Sequence, residues 1–152
     1  MNPEEKLASL GLTLPTLPTP KFTYVPFKRD GDTVYLSGQG PAKPEGGYHL
    51  GKVGADVSAE MAAEHAKITA LSLLAAAKLA AGDLAKVEFL KVLGMVNAVP
   101  EFTDQPKVIN GCSDLLVEVL GERGKHARSA VGLGSLPNGM TVEIEAVIRI
   151  HP

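Results

Sequence analysis

Three charged side chains near the carboxyl end of the chain have the chemistry of a site for a small anion. Glu143 and Glu145 stand two residues apart in the β-forming stretch 142–150, on the face that its Ile and Ala residues avoid. Arg128 stands in a second β-forming run, residues 127–131. An arginine fork can bind a carboxylate with two hydrogen bonds, and a carboxylate side chain can accept a proton from water. The trio therefore indicates a site that binds an organic anion and can activate water.

Arg128 can reach the two glutamates only through the pairing of its strand. Residues 137–139, Pro-Asn-Gly, carry a turn signal, so we expect the run 127–131 to fold back as the antiparallel partner of the stretch 142–150. A register that keeps Val131 with the apolar face then puts Arg128 on the side of the glutamates. A purely structural ion pair across two strands is the alternative, and it is the more common outcome for such a trio taken alone.

The remaining reactive residue types lack the patterns that chemistry would need. Cys112 is the only cysteine and falls on the apolar stripe of a predicted helix, where a thiol usually acts as a small hydrophobic group. The four histidines have no metal-ligand spacing. In the glycine-rich run 132–137 a proline stands where a dinucleotide loop needs its third glycine. We expect no metal, no cofactor and no covalent intermediate.

Length and charge restrict the class of protein. A chain of 152 residues and 15.9 kDa can bury a core as one domain. Its 15 Lys and Arg against 17 Asp and Glu give a net charge of −2, which does not favour nucleic acid or an anionic membrane. It has no apolar run long enough to cross a bilayer and no signal-peptide pattern at its start. With a single cysteine, this predicts a cytoplasmic protein without membrane or nucleic-acid partners.

The amino-terminal half is predicted to hold a leader and a hairpin. Residues 1–20 read as a leader with a short helix over 3–10 and a proline-rich extended segment, and residues 21–152 as a single domain. β-Rich runs at 22–27 and 33–37 flank an Asp-Gly pair, which is a strong hairpin signal.

Two helices and a long apolar strand follow. Ser58 is expected to cap a helix that ends before Gly82, and a second helix begins near residue 105 and ends at Gly121. Residues 87–98, between them, read as a strand that is apolar on both faces. The order predicts an α+β domain with two helices on one face of a mixed sheet. The expected core stripes are Met61, Ile68, Leu71, Ala75 and Leu79 on the first helix and Val108, Cys112, Leu115, Leu116 and Val119 on the second.

The two-faced strand also predicts a partner. Two helices can cover only one face of the sheet, so something else must cover the other face. A second copy of the chain is the simplest answer, and we expect a homo-oligomer whose subunits pack sheet to sheet. A site on that second face would lie at a subunit boundary.

Three stretches resemble the sequence signature of a known family. The runs 126–131, 136–137 and 142–146 strongly resemble the signature of the YjgF/RidA family of reactive-intermediate deaminases, which act on enamines and imines. Residues 35–39 and Asn110 match two further marked positions of that family. The resemblance implies the chorismate-mutase-like fold, a homotrimer with clefts between subunits, and chemistry without a cofactor.

The resemblance also implies a reaction and roles for residues. The substrate would be a small carboxylate-bearing 2-imino acid, such as the one derived from 2-aminoacrylate, hydrolysed to a 2-oxo acid and ammonia by a 2-iminobutanoate/2-iminopropanoate deaminase-type hydrolase. Arg128 would hold the substrate carboxylate and Glu143 would orient the water. The residues implied to line the cleft are Tyr24, Ser37, Gly38, Asn110 and Ala130.

Two positions depart from the family's best-studied members. Ala130 stands where they have cysteine, and His126 stands where they have proline, so the chain looks like a divergent branch. A trimer that binds 2-oxo acids or amino acids without turnover, as a sensor or scaffold, is the alternative from another class of function. Ribonuclease activity is a third, which the net charge and the lack of an aromatic stacking platform argue against.

Overall fold

A computed structural model describes residues 1–19 and 21–152. The last residue of the predicted extended segment, Pro20, lies outside the described residues. The elements are three helices and five strands: α1 (Pro3–Ser9), β1 (Phe27–Asp30), β2 (Thr33–Gln39), α2 (Ala59–Ala81), β3 (Val87–Asn97), α3 (Gln105–Leu120), β4 (Ala127–Leu133) and β5 (Val142–Ile150).

The strands form one mixed sheet in the order β1-β2-β5-β3-β4. β3 and β4 are parallel, and the other neighbouring pairs are antiparallel. With α2 and α3 packed on one face, the predicted α+β class is confirmed. The predicted antiparallel pairing of 127–131 with 142–150 is wrong, because β3 lies between these two strands. α3 supplies the long crossover that a parallel pair requires, and β5 instead fills the centre of the sheet.

Local signals determine the ends of α2. The Ser58 side chain accepts a hydrogen bond from the Met61 backbone N–H at 3.1 Å, and Gly82 ends the helix with φ 79°. A Cβ at Gly111 of α3 would overlap the backbone carbonyl of Ala63, so the two helices touch backbone to backbone. Such close approach requires small residues at the contact.

The buried side of α2 therefore differs from the predicted stripe. Met61 is 54% exposed and Leu79 is 63% exposed, whereas the buried positions include Ala62, Ala66, Ala70, Leu73, Leu74 and Ala77. The stripe predicted for α3 is confirmed, because all five of its residues are buried.

The sheet has one covered face and one open face. A bulge between Phe89 and Lys91 lets Val87, Phe89, Val92 and Val96 share the helix-covered face. The other side, here called the open face, presents Tyr35, Leu93, Met95, Val131, Glu143, Glu145 and Val147. Tyr35 is 53% exposed and Val131 is 41% exposed.

The amino-terminal segment packs against the same core. Leu7 of α1 is buried within the hydrophobic cluster, and Leu10, Leu12, Leu14 and Leu17 pack against it. α1 itself begins with a capping box between Asn2 and Glu5. In the described part of the chain, no helix combines the length and the apolar character needed to cross a membrane.

Candidate active site

Strand register places Arg128 on the helix-covered face. Arg128 is paired with Val92 of β3, and Val92 is paired with Ala146 of β5. Side chains of paired residues leave the sheet on the same side, and both Val92 and Ala146 are buried under the helices. The Arg128 side chain is therefore directed towards α3, along the last strand of the sheet.

Glu143 lies on the opposite side. It is paired with Met95, and Met95 is paired with Val131, so Val131 accompanies the glutamates on the open face. The expectation that Arg128 shares a face with Glu143 and Glu145 is wrong within one chain. Its premise fails because Val131 does not belong to the helix-covered core.

Two side chains of α3 hold the Arg128 guanidinium. Its Nη1 donates to Asn110 Oδ1 at 2.8 Å and to Ser113 Oγ at 3.2 Å. These bonds occupy both hydrogens of Nη1. Among the described residues, Nε and Nη2 have no hydrogen-bonded partner, and their N–H groups point in the same direction. They form a side-on fork that matches a carboxylate. We call Arg128, Asn110, Ser113 and Ala130 the arginine half-site.

Ala130 follows Arg128 by two residues in β4. Its side chain lies on the same face as that of Arg128, beside Gly94, and packs against the core. A Cβ at Gly94 would clash with Ile109, so this part of the sheet is tightly filled. Because β4 is an edge strand, alternate backbone N–H and C=O groups on its outer side have no strand partner.

A bulge in β2 makes room for Glu143. Leu36 pairs with Ala146 and Gln39 pairs with Ile144, so Ser37 and Gly38 together face a single residue of β5, Glu145. A Cβ at Gly38 would lie 2.9 Å from Glu143 Oε2. Glycine is needed here because the neighbouring carboxylate occupies the space of a side chain.

Ser37 ties the segment that carries Tyr24 to this bulge. The Ser37 hydroxyl donates to the carbonyl of Val25 at 2.5 Å, and its backbone N–H donates to the carbonyl of Pro26 at 3.0 Å. Tyr24, the neighbour of Val25, is 56% exposed. We call Glu143, Glu145, Ser37, Gly38 and Tyr24 the glutamate half-site. The chain therefore brings together four of the predicted site residues here and three in the arginine half-site.

The two carboxylates of the glutamate half-site influence each other. Partial burial raises the pKa of Glu143 above that of an ordinary glutamate, and the nearby charge of Glu145 raises it further. Neither carboxylate belongs to an ion pair among the described residues. The structural ion pair considered as an alternative is therefore not formed within the described chain, and Glu143 is suited to accept a proton.

The sequence patterns missed Ser113 of the arginine half-site, whereas they judged Cys112, which lies outside it, correctly. Ser113 was not singled out, although its position three residues after Asn110 places it on the same side of α3. Cys112 is buried, and burial raises the pKa of its thiol to about 12. A thiol in that state has almost no thiolate at neutral pH and is a poor nucleophile.

Comparisons with known proteins identify the family of the chain. Residues 4–141 match the family model described as "YjgF/chorismate mutase-like, putative endoribonuclease". Protein TCP17 of Trypanosoma cruzi is 37% identical over 147 residues, which cover 95% of this chain and 92% of that protein. A crystal structure of a protein of unknown function from Agrobacterium tumefaciens is 43% identical, with a TM-score of 0.90 over 99% of this chain and 92% of that one.

A third similarity is to RidA from the Antarctic bacterium Psychrobacter, which is 27% identical with a TM-score of 0.61 over 88% of this chain and 93% of that one. The family model spans most of the chain, and the five-stranded mixed sheet with helices agrees with the fold of that family. The chain belongs to the YjgF/RidA family.

Proposed function

We propose that the protein hydrolyses small 2-imino acids to 2-oxo acids and ammonia, at sites shared between neighbouring chains of a homotrimer. One observation carries the proposal: the arginine and glutamate half-sites hold complementary groups but lie on opposite sides of one sheet. A cation fork suits binding of the substrate carboxylate, and a carboxylate with a raised pKa suits the proton transfers of this reaction.

A second copy of the chain can join the half-sites. Arg128 lies on the edge strand β4, and Glu143 lies on the open face. If the β4 edge of one chain docks against the open face of the next, the two half-sites meet around one small molecule. The same contact would cover Tyr35 and Val131, whose exposure is otherwise unfavourable. A closed ring of such contacts gives the homotrimer that the family resemblance implies.

The side chains have distinct roles in the reaction. The Nε/Nη2 fork of Arg128 binds the substrate carboxylate and fixes the C=N carbon in place. The imine nitrogen enters this step protonated, as an iminium. Glu143 of the neighbouring chain accepts a proton from water as the water oxygen bonds to the C=N carbon, and the C=N double bond becomes a single bond in a neutral tetrahedral amino alcohol. Glu143 then returns the proton to nitrogen, the C–N bond breaks, and ammonia leaves as the C=O bond forms. The ionised Glu143 takes up the hydroxyl proton that this releases and passes it to the departing ammonia, which leaves as ammonium. Water supplies the oxygen, and no redox step is needed.

The environment of Glu143 suits both proton transfers. A raised pKa brings a carboxylate closer to the operating pH, so that it can accept a proton in one step and donate it in the next. Imines already hydrolyse in water, so most of the benefit comes from placing water and acceptor correctly, for which proximity can contribute roughly 7 kcal/mol. The buried Cys112 takes no part.

Coupled turnover tests the proposal. A serine dehydratase generates 2-aminoacrylate, and pyruvate formation is followed above the uncatalysed rate with the wild type, Arg128→Ala and Glu143→Gln. We expect catalysis by the wild type, loss of substrate affinity in the arginine variant, and loss of rate with ligand binding retained in the glutamine variant. Turnover that neither substitution changes would refute the assigned roles.

Calorimetry with 2-oxobutanoate separates catalysis from sensing. Binding without any imine hydrolysis would select the sensor or scaffold function and reject the enzyme. RNA binding is tested in parallel because the family description mentions an endoribonuclease. With a net charge of −2 we expect no retention of single-stranded RNA at low salt, where electrostatic binding is strongest.

A further inference from the structure

A chain of hydrogen bonds continues beyond Arg128 into the loop that follows α3. Ser113 Oγ, which bonds Arg128 Nη1, also lies 2.8 Å from His126 Nε2. His126 Nδ1 in turn lies 2.6 Å from the carbonyl oxygen of Gly124. The sequence marked His126 only as a departure from the family's proline, and the imine mechanism does not use it.

Donor and acceptor rules determine the direction of each bond in this chain. A carbonyl oxygen can only accept, so His126 Nδ1 must carry a hydrogen. In a neutral imidazole Nε2 then has a lone pair and accepts the hydroxyl hydrogen of Ser113. The hydroxyl cannot rotate that hydrogen towards Arg128, and its own lone pair is left facing the Nη1 donor. The guanidinium thus meets two acceptors, Asn110 and Ser113.

The carbonyl of Gly124, the end of this series of hydrogen bonds farthest from Arg128, lies in tightly packed backbone. Gly124 is buried, and a Cβ there would overlap the carbonyl oxygen of Leu116 in α3. The carbonyl that orients His126 is therefore held against the same helix that carries Ser113. An arginine side chain otherwise loses rotamer freedom when a ligand fixes it, so prior anchoring favours ligand binding.

We propose that Ser113 and His126 are positioning residues that hold Arg128 with its Nε/Nη2 fork free for the substrate carboxylate. The inference rests on the proposed function and extends it to two residues to which the family resemblance assigns no role. Because both Nη1 hydrogens are engaged, the carboxylate meets the side-on edge of the guanidinium and not its end. The pair acts through Arg128 and does not touch the reacting atoms.

Binding measurements on four variants test this role. Ser113→Ala and His126→Phe each remove one hydrogen-bonding residue of the chain that leads to Arg128. His126→Gln keeps an acceptor for the Ser113 hydroxyl. Asp114→Asn, on the exposed side of α3, is the matched control. We expect the first two to weaken 2-oxobutanoate binding and to raise KM about tenfold, with kcat changed much less. His126→Gln should recover most of the affinity, and the control should match the wild type.

The tautomer of His126 gives a second readout that is independent of turnover. ¹⁵N NMR of the imidazole ring at neutral pH should find Nδ1 protonated and Nε2 bare, and Ser113→Ala should move the Nε2 resonance. A ring protonated at Nε2 would overturn the inference. So would unchanged affinity in Ser113→Ala and His126→Phe when Arg128→Ala has lost binding. If Arg128→Ala itself binds like the wild type, the proposed function fails instead.

Discussion

Arg128 and Glu143 occupy opposite faces of the same sheet, with β3 between their strands. Two strand spacings, roughly 10 Å, and the thickness of the sheet separate their backbones. One small organic acid cannot contact both side chains of a single chain across this separation. The proposed function, in which Arg128 and Glu143 act on the same molecule, therefore requires a site that two chains share.

Replacing Arg128 by lysine tests the fork itself. Arg128→Lys keeps the charge but supplies a single ammonium group, which cannot make two parallel bonds to a carboxylate. We expect 2-oxobutanoate to bind roughly 10- to 100-fold more weakly, as measured by calorimetry, because charge-assisted hydrogen bonds are lost. Affinity equal to that of the wild type would mean that only the charge matters.

Gly38→Ala tests the space reserved for Glu143. The new methyl group would lie 2.9 Å from Glu143 Oε2, at the flexible end of that side chain, so we expect the carboxylate to move and the fold to persist. A displacement of about 1 Å can reduce turnover up to ~100-fold. Gly134→Ala is the control, since a Cβ there meets nothing within 4 Å. Equal kcat in the two variants would show that the position of Glu143 is unimportant.

Burial of Glu143, together with the nearby charge of Glu145, should set the acid limb of the pH profile. Glu143 must be ionised to accept a proton, so kcat/KM falls as pH is lowered through its raised pKa. Glu145→Gln removes the neighbouring charge and lowers the pKa of Glu143. We expect its acid limb to shift to lower pH than that of the wild type. An acid limb that does not shift in Glu145→Gln would mean that a group other than Glu143 controls the fall in kcat/KM.

The ionised Glu143 side chain should also destabilise the folded protein at neutral pH. Its pKa is higher in the folded than in the unfolded chain, so the folded state binds the proton more tightly and stability decreases as pH rises through the raised pKa. Glu143→Gln should therefore have a higher Tm than the wild type at pH 7. The difference should vanish below pH ~4, under the unfolded pKa of glutamate. A lower Tm for the variant at pH 7 would contradict this.

Local patterns in the sequence predicted the elements better than their pairing. Ser58, Gly82 and the apolar spacing of α3 act within a few residues, and the structure confirms the helix ends and the α3 stripe. The hairpin turn at the Asp-Gly pair is likewise confirmed, with Gly31 at φ 62°. The strand predicted at 22–27 is wrong, because β1 spans Phe27–Asp30 and so lies almost wholly in the segment expected to connect the two strands.

Contacts between segments distant in the sequence were harder to predict. The turn signal at 137–139 favoured a hairpin, yet the crossover through α3 carried 127–133 to β3 instead. This single choice of partner decided which side of the sheet Arg128 occupies. On α2 the large residues Met61 and Leu79 suggested the wrong buried side, because contact with α3 at Gly111 selects alanine there. Neither the pairing of 127–133 with β3 nor the buried side of α2 can be predicted without the element that packs beside it.

Mixing two inactive variants tests the shared site most directly. Chains carrying Arg128→Ala and chains carrying Glu143→Gln are co-expressed, and imine hydrolysis is compared with that of each variant alone. In a closed trimer every mixed assembly rebuilds one site in three from an intact arginine and an intact glutamate, so random mixing should restore about a quarter of wild-type activity. Activity no higher than that of the separate variants, in confirmed mixed assemblies, would contradict a site formed between chains.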